Sequence, residues 1–272
     1  MKYKQYLAYS LLAAALLLAG HAGAQRKKDS LALYREFVAV SKNYQQLPLQ
    51  ARILFRKSTV PHLAGKGSES TLAEFYLQKG DGYIKFGELE QVVNDSLMLL
   101  VNNRMKMFML VKQEAGTMDK SLTMFPGLPK ASLEAMGKKY LAEKQVVNDV
   151  DTLIKLSTRK LLQGTDKPLE EVEIRYSGSM NPVVARTVKR KLLPLTDTTG
   201  ASKDIPNANR VHIDMSGDYL LSEEVNEYLF QYIAHAEGIV VPVTLSNRLV
   251  KNAAGEWVPA KGYEGYSIRR QQ

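Results

Sequence analysis

The chain has 272 residues, with 37 Lys and Arg against 28 Asp and Glu, a net charge of +9 and no cysteine. Its 45% hydrophobic and 24% charged residues are typical of folded domains, which argues against wholesale disorder. The absence of cysteine from the sequence excludes disulfides, thiolate zinc sites, iron–sulfur clusters and cysteine nucleophiles.

Residues 1–24 have the pattern of a secretory signal peptide. Lys2 and Lys4 precede the apolar run Leu11–Ala19, and Ala22-Gly23-Ala24 places small residues where a signal peptidase cuts. The apolar run is shorter than the roughly 20 residues that span a bilayer. We therefore expect cleavage after Ala24, a periplasmic or secreted protein, and no integral membrane segment.

The mature residues 25–272 are predicted to form one β-rich domain, with a less regular extension from about residue 207. A helix is predicted first, because Leu31, Tyr34, Phe37, Val38 and Ser41 recur at helical spacing after a cap at Asp29 or Ser30. The pattern then changes to period two up to Lys112. Short turns divide this stretch at Gly80-Asp81-Gly82, Asn94-Asp95 and Asn102-Asn103, which predicts an antiparallel meander of four or five strands.

Beyond the meander, Leu133, Met136, Tyr140 and Leu141 predict a second amphipathic helix. Alternating patterns then predict strands at 152–162, 171–176, 183–195, 211–215, 239–250 and 263–269, while 225–236 fits a helix or a strand equally well. The expected fold class is mainly β (α+β). It is a single curved antiparallel sheet or open half-barrel of about ten or eleven strands with two covering helices.

This order of elements resembles the periplasmic lipoprotein-carrier (LolA/LolB-like) superfamily over residues 31–115. The resemblance is carried by Phe75-Tyr76-Leu77, by Gly80–Phe86 and by Asn94–Leu99, which are similar to the family's progression of strand, G-D-x-Y-R-I-x-F and D-G-x-x-L-W-V. Asn94-Asp95-Ser96 replaces the family's Asp-Gly turn, and no Trp follows it. The resemblance implies an open sheet around an apolar cavity that takes a lipid or a lipoprotein acyl chain.

Seven of the ten methionines lie between Met98 and Met136, and Met105, Met107 and Met109 alternate along one predicted strand. Flexible, polarizable methionines are suited to line a cavity that adapts to acyl chains, although the same pattern fits a strand buried on both faces. The predicted cavity residues are Phe75, Leu77, Ile84, Phe86, Leu97, Leu99, Val101, Met105, Met107 and Met109 on one concave face, with Leu133, Met136 and Tyr140 as the helical cover.

Arg186, Lys189, Arg190 and Lys191 form a basic strand. These residues are candidates for contact with anionic lipid heads or an acidic partner, although the pattern favours a solvated strand edge, where Lys is common. Nucleic acid is not an expected partner, because no aromatic reader motif is interleaved with the basic residues.

Catalytic signals are weak. His62, His212 and His235 are scattered, no H-E-x-x-H, G-x-S-x-G or phosphate-binding loop occurs, and Ser177-Gly178-Ser179 reads as a turn. The sequence therefore predicts no catalytic residue, no cofactor and no metal site.

Two functions remain open from the sequence. The first is a non-catalytic exported protein that binds a lipid or an acyl chain on its sheet. The second is an envelope interaction protein with a filled core, which would bind another protein through the basic strand or the aromatic C-terminus around Trp257 and Tyr263.

Overall fold

The computed structural model describes residues 30–43, 46–61, 67–112, 133–148, 150–195, 209–214 and 216–271. The predicted signal peptide with its cleavage after Ala24 lies outside these residues, as does His62.

Two α-helices are described, and both were expected. Helix α1 (30–43) buries Tyr34 and Phe37 against the sheet, as the spacing predicts, together with Val40, whereas Leu31 is 37% exposed. Helix α2 (Leu133–Lys139) is shorter than predicted, because Tyr140 begins a strand whose ladder opens with the pair Tyr140↔Thr158. Among the described residues, no helix has the length and apolar character needed to cross a membrane.

The strands account for most of the described chain. Their bounds are β1 Leu49–Val60, β2 Glu69–Leu77, β3 Gly82–Phe86, β4 Leu89–Val93, β5 Leu97–Asn102, β6 Met107–Lys112, β7 Tyr140–Val147, β8 Asp151–Thr158, β9 Glu170–Tyr176, β10 Pro182–Pro194, β11 Arg210–Ile213, β12 Gly217–Ala234, β13 Leu249–Lys251, β14 Trp257–Pro259 and β15 Ser267–Gln271.

Thirteen of these strands form one open sheet, in the order β15-β6-β5-β4-β3-β2-β1-β12-β10-β9-β8-β7, with β11 paired to β12. The mainly β, antiparallel prediction is confirmed, whereas the predicted ten or eleven strands are too few. Strand β15 pairs with β6 in parallel and is the exception to the antiparallel pattern of this sheet. The 18-residue strand β12 pairs with both β1 and β10, and so joins the two halves of the sheet.

Two predictions of strands were wrong. The sequence predicted no turn between Gly82 and Asn94, but this stretch is a hairpin of β3 and β4. Gly87 turns the chain there with a φ of +58°, a backbone conformation that glycine adopts at little cost. The predicted strand at 239–250 is mostly irregular and contains a 3-10 turn at Leu245–Asn247. This segment packs across other strands instead of joining their ladder.

The two halves of the sheet are covered on opposite sides. Helices α1 and α2 cover β8–β10, where Phe37, Met136, Ile154 and Ile174 form one buried cluster. Residues 239–266, which we call the C-terminal cap, cover the other side of β3–β6, where Leu245 and Leu249 are buried against Leu99 and other strand residues.

A buried ion pair attaches the C-terminal cap to the sheet. Arg248 donates from Nε and Nη2 to Glu90 Oε2 at 3.1 and 2.7 Å, and only 12% and 7% of the two side chains is exposed. Asn103 donates to the other Glu90 oxygen at 2.8 Å and accepts from the Tyr266 hydroxyl at 2.9 Å. Burial, reinforced by the Glu90 charge, raises the pKa of the adjacent Tyr83 to about 12. Tyr83 is therefore a neutral phenol in this network at physiological pH.

Replacing Arg248 by Gln leaves the Glu90 carboxylate buried without its cation. We expect the free energy of unfolding to fall by about 3 kcal/mol, because breaking a buried pair exposes the desolvation cost of the remaining charge. Urea unfolding followed by circular dichroism measures this loss, and a loss below about 1 kcal/mol would show that the pair does not hold the C-terminal cap.

The matched control is Lys138→Gln. Lys138 forms a 2.8 Å pair with Glu134 on α2, with side chains that are 77% and 79% exposed. Its removal should change the unfolding free energy by less than about 0.5 kcal/mol, as for other exposed helical pairs.

Candidate functional site

One side of strands β3–β6 is a continuous apolar surface, which we call the methionine face. Antiparallel partners point to the same side of a sheet, so the register places Ile84, Gln91, Leu100 and Met109 in one row across the strands. The neighbouring rows extend this surface. The face as a whole comprises Gly82, Ile84, Phe86, Leu89, Gln91, Val93, Met98, Leu100, Asn102, Met107, Met109 and Val111.

The methionine face carries no charged side chain on these four described strands, and much of it reaches solvent. Phe86 is 41% exposed and Leu89 is 51% exposed, while Met107 and Met109 are partly buried. Gln91, one of its two amides, donates to Met98 Sδ at 3.3 Å. A methionine strand buried on both sides was the alternative expectation, and the partial exposure of Met107 and Met109 does not fit it.

Leu97, Leu99 and Val101 were expected on the same face, and this placement was wrong. They lie on the opposite side, where Leu99 faces Val92 and Leu110, and the C-terminal cap fills that side. The physical reason is that β5 is apolar at consecutive positions, so period two does not identify a side. The side of each β5 residue follows only from its partners in β4, and the sequence prediction missed the Gly87 hairpin that sets those partners.

Met105 also departs from the predicted cavity. It lies in the turn between β5 and β6 and is 66% exposed, so it projects from the sheet margin and not from the methionine face. Lys106 follows it with a φ of +49° and is the last residue of the turn before β6. The predicted alternation of three methionines therefore holds for Met107 and Met109 only.

Phe75 and Leu77 lie on the same side of the sheet as the methionine face but are already buried, together with Leu49, Ala51 and Ile53. They border the methionine face at β2, next to the partly buried Ile84.

The predicted cover residues Leu133, Met136 and Tyr140 pack against α1 and β8–β10 in the other half of the sheet. Tyr140 donates a hydrogen bond to Glu170 Oε2 at 2.9 Å and accepts one at its carbonyl from the Tyr34 hydroxyl at 2.8 Å. These residues anchor the helices, and the structure does not bring them together with Phe86 or Met109.

The four basic residues of β10 point to both sides of the sheet, because successive residues of a strand alternate. Lys189 and Lys191 are exposed on the helix-bearing side, where Lys191 lines a small polar pocket of about 290 Å³. Arg186 and Arg190 point to the reverse side, where Arg186 pairs with Glu173 at 3.6 Å. The four residues therefore do not form one anion-binding surface.

Arg190 is a structural residue with a side chain only 10% exposed. Its guanidinium pairs with Glu171 and with Glu223, at 2.7 Å for the latter, and donates to the Pro168 carbonyl at 3.0 Å. Burial opposes ionisation of Glu171, but the hydrogen bonds from Lys155 and Arg190 outweigh it and lower the pKa of Glu171 below its ordinary value of 4.5.

The described catalytic candidates do not converge. His212 lies on β11, 2.7 Å from Asp218, and His235 follows β12 with Nδ1 facing the carbonyls of Gln46 and Pro48. The two histidines therefore sit at opposite ends of β12. Within the described ranges, no group of three or more His, Asp or Glu side chains is placed to hold a metal ion.

The sequence reasoning also missed members of the methionine face, notably Leu89, Met98, Leu100 and Val111. A turn placed at Gly87-Glu88 would have found them, because each antiparallel partner then follows by counting from Phe86↔Leu89 through Leu89↔Asn102 to Asn102↔Met107.

No protein-family model matches the chain, and no curated protein matches it. Among solved structures, an uncharacterized conserved protein from Thermus thermophilus is 12% identical with a TM-score of 0.36, covering 88% of this chain and 99% of its own. A LolA superfamily protein from Nitrosomonas europaea is 9% identical with a TM-score of 0.25, covering 74% and 93%. A DUF1329 family protein from Desulfovibrio piger is 10% identical with a TM-score of 0.24, covering 78% and 94%.

The superfamily that the sequence resembles is thus found among the structural neighbours. All three TM-scores are below 0.5, so the function has to be argued from the side chains of this chain.

The Arg190 cluster gives a pH-dependent prediction. Because the folded-state pKa of Glu171 lies below 4.5, its contribution to stability is complete above that pH and is lost as the pH falls through the folded-state value. Arg190→Gln should lower the unfolding free energy by about 3 kcal/mol at neutral pH, and the difference from wild type should shrink on acidification to about pH 3.

Urea titrations across this pH range measure the difference. Arg186→Gln, on the same strand with a 41% exposed side chain, is the control and should lose less than about 1 kcal/mol at any pH. A loss in Arg190→Gln that does not depend on pH would contradict the ion-pair assignment.

Proposed function

We propose that this protein binds a hydrophobic ligand, such as a lipid or a lipoprotein acyl chain, on the methionine face, and that it acts without catalysis outside the cytoplasm. The observation that carries the proposal is an uncharged, apolar surface across four strands on which Phe86 and Leu89 remain about half exposed. Exposed apolar surface of this extent is typical of interaction or ligand sites.

The side chains of the methionine face suit a flexible aliphatic ligand. Met98, Met107 and Met109 are unbranched and polarizable, so they adjust to a chain that has no fixed shape. The buried neighbours Phe75 and Leu77 give the face a rigid margin. Such a surface suits aliphatic chains as a class and does not select one particular molecule.

The expected affinity for a short acyl chain is weak. Each buried methylene contributes about 0.8 kcal/mol, so ten methylenes of an acyl chain contribute roughly 8 kcal/mol. Association costs at least about 4 kcal/mol, so at most about 4 kcal/mol remains, which corresponds to a dissociation constant of about 1 mM or weaker for a chain of this length. Such affinity is compatible with a ligand that is accepted and later released.

The alternative of a protein partner at the basic strand receives less support. Its central cation, Arg190, is held by Glu171 and Glu223, and its exposed members Lys189 and Lys191 lie on the other side of the sheet from Arg186. An acidic partner would meet two separate surfaces. The lipid proposal therefore stands as the single candidate.

Met109→Glu tests the proposal by placing a carboxylate in the middle of the methionine face. We expect the affinity for the uncharged fluorophore N-phenylnaphthylamine to fall at least about ten-fold, because the charge would lose solvation beneath an apolar ligand. The enhancement of the fluorophore's emission on titration measures the affinity, and competition by a fatty alcohol shows that the same surface takes aliphatic chains.

Met105→Glu is the matched control, because it makes the same substitution at a 66% exposed turn. It should bind the fluorophore as the wild type does. Equal affinity of wild type and Met109→Glu, with both folded by circular dichroism, would refute the proposed site.

A further inference from the structure

A second pocket lies on the opposite side of the sheet from the methionine face. It has a volume of about 440 Å³ and opens between the β2–β3 and β4–β5 turns and the C-terminal cap. This volume falls within the range of small-molecule sites, which is about 300–1,000 Å³. The pocket exists because the cap stays irregular from residue 239 to residue 248 and bridges the turns without filling the space beneath it.

The walls of this pocket are mainly aliphatic, with one aromatic ring. They include Leu97, Val241, Val243, Leu245, Leu249 and Trp257. Leu245 and Leu249 are buried, which makes the floor rigid, whereas Val241, Val243 and Trp257 remain partly exposed and line the opening. The interior therefore favours an aliphatic group.

The hydroxyl groups at the rim are already engaged with each other. Thr244 Oγ1 lies 2.9 Å from both Ser246 Oγ and Asn247 Oδ1, so these groups serve the 3-10 turn at Leu245–Asn247. A sugar would need several hydrogen-bonding groups that are not engaged in this way. The rim thus disfavours a carbohydrate ligand.

Two charged side chains remain at the rim without an ion-pair partner among the described residues. Lys251 holds its ammonium 5.2 Å from the centre of the Trp257 ring, across the pair Lys251↔Trp257 of the β13–β14 hairpin. Asp81 stands in the β2–β3 turn on the other margin of the pocket. The positive group is held against the aromatic wall, and the net charge, which stays positive without Lys2 and Lys4 of the predicted signal peptide, adds a field that favours anions over cations.

We propose that this pocket binds a small aliphatic molecule with an anionic head, either a carboxylate or a phosphate, with the aliphatic part between Val243 and Leu249 and the head beside Lys251. The site shares only Val93, at the end of β4, with the methionine face and does not depend on the function proposed for that face. Asp81 opposes the head from the far rim and so limits its affinity.

Trp257 is the only tryptophan of the chain, so its emission reports this pocket directly. The probes are decanoate and decyl phosphate, with decyltrimethylammonium as the cationic counterpart, each titrated below its micelle concentration and checked by calorimetry. We expect saturable binding of at least one anion. Lys251→Gln should weaken this binding about three-fold, and Asp81→Asn should strengthen it about two-fold, as expected for partly exposed charges.

Val243→Phe provides a second test by placing a larger side chain in the opening, and it should abolish the change in Trp257 emission. Met109→Glu on the methionine face should leave the anion-induced change in Trp257 emission unchanged. The proposal is overturned if no probe gives a saturable change, if the cation binds as well as the anions, or if binding survives Val243→Phe and disappears in Met109→Glu. That last outcome would move the ligand to the methionine face and leave the function proposed there intact.

Discussion

The buried pair between Arg248 and Glu90 decides which side of the first half of the sheet is open. Two charges with side chains about nine-tenths buried are tolerated only where hydrogen bonds compensate their lost hydration, and here Asn103 and Tyr266 complete that network. Because Arg248 lies in the C-terminal cap and Glu90 in β4, the pair fixes the cap on one side of β3–β6. The other side, the methionine face, is left without this cover.

The two halves of the sheet bury apolar residues on opposite sides. Strands β8–β10 bury one side beneath α1 and α2 and expose a reverse side that carries Arg186 and Glu173. Strands β3–β6 bury mainly apolar residues beneath the C-terminal cap, and their other side, the methionine face, is partly exposed in the part of the chain that the structure describes. Strand β12, which spans both halves, keeps these two arrangements in one sheet. An apolar side that stays partly exposed within the described ranges is costly for stability alone, and this cost is the reason for proposing a ligand there.

The sequence predicted the local elements well and the long-range arrangement poorly. Helix α1 and strand β9 followed from periodicity, because one side of each element is apolar and the other is polar. Strand β5 carries apolar residues at five successive positions, so its sides could only be assigned through the register set by the turn at Gly87. The position of the C-terminal cap depends on the contact of Arg248 with Glu90, 158 residues away, which no local pattern reports.

The most direct test of this account is nuclear magnetic resonance of the protein with carbon-13-labelled methionine methyl groups, titrated with a fatty alcohol. The methyls of Met98, Met107 and Met109 should shift and show contacts to the aliphatic chain. Met136, which is fully buried beneath α1, should not respond. Shifts at Met136 alone, or no response at any methionine at saturating alcohol, would contradict the claim that the side opposite the C-terminal cap is the ligand-binding surface.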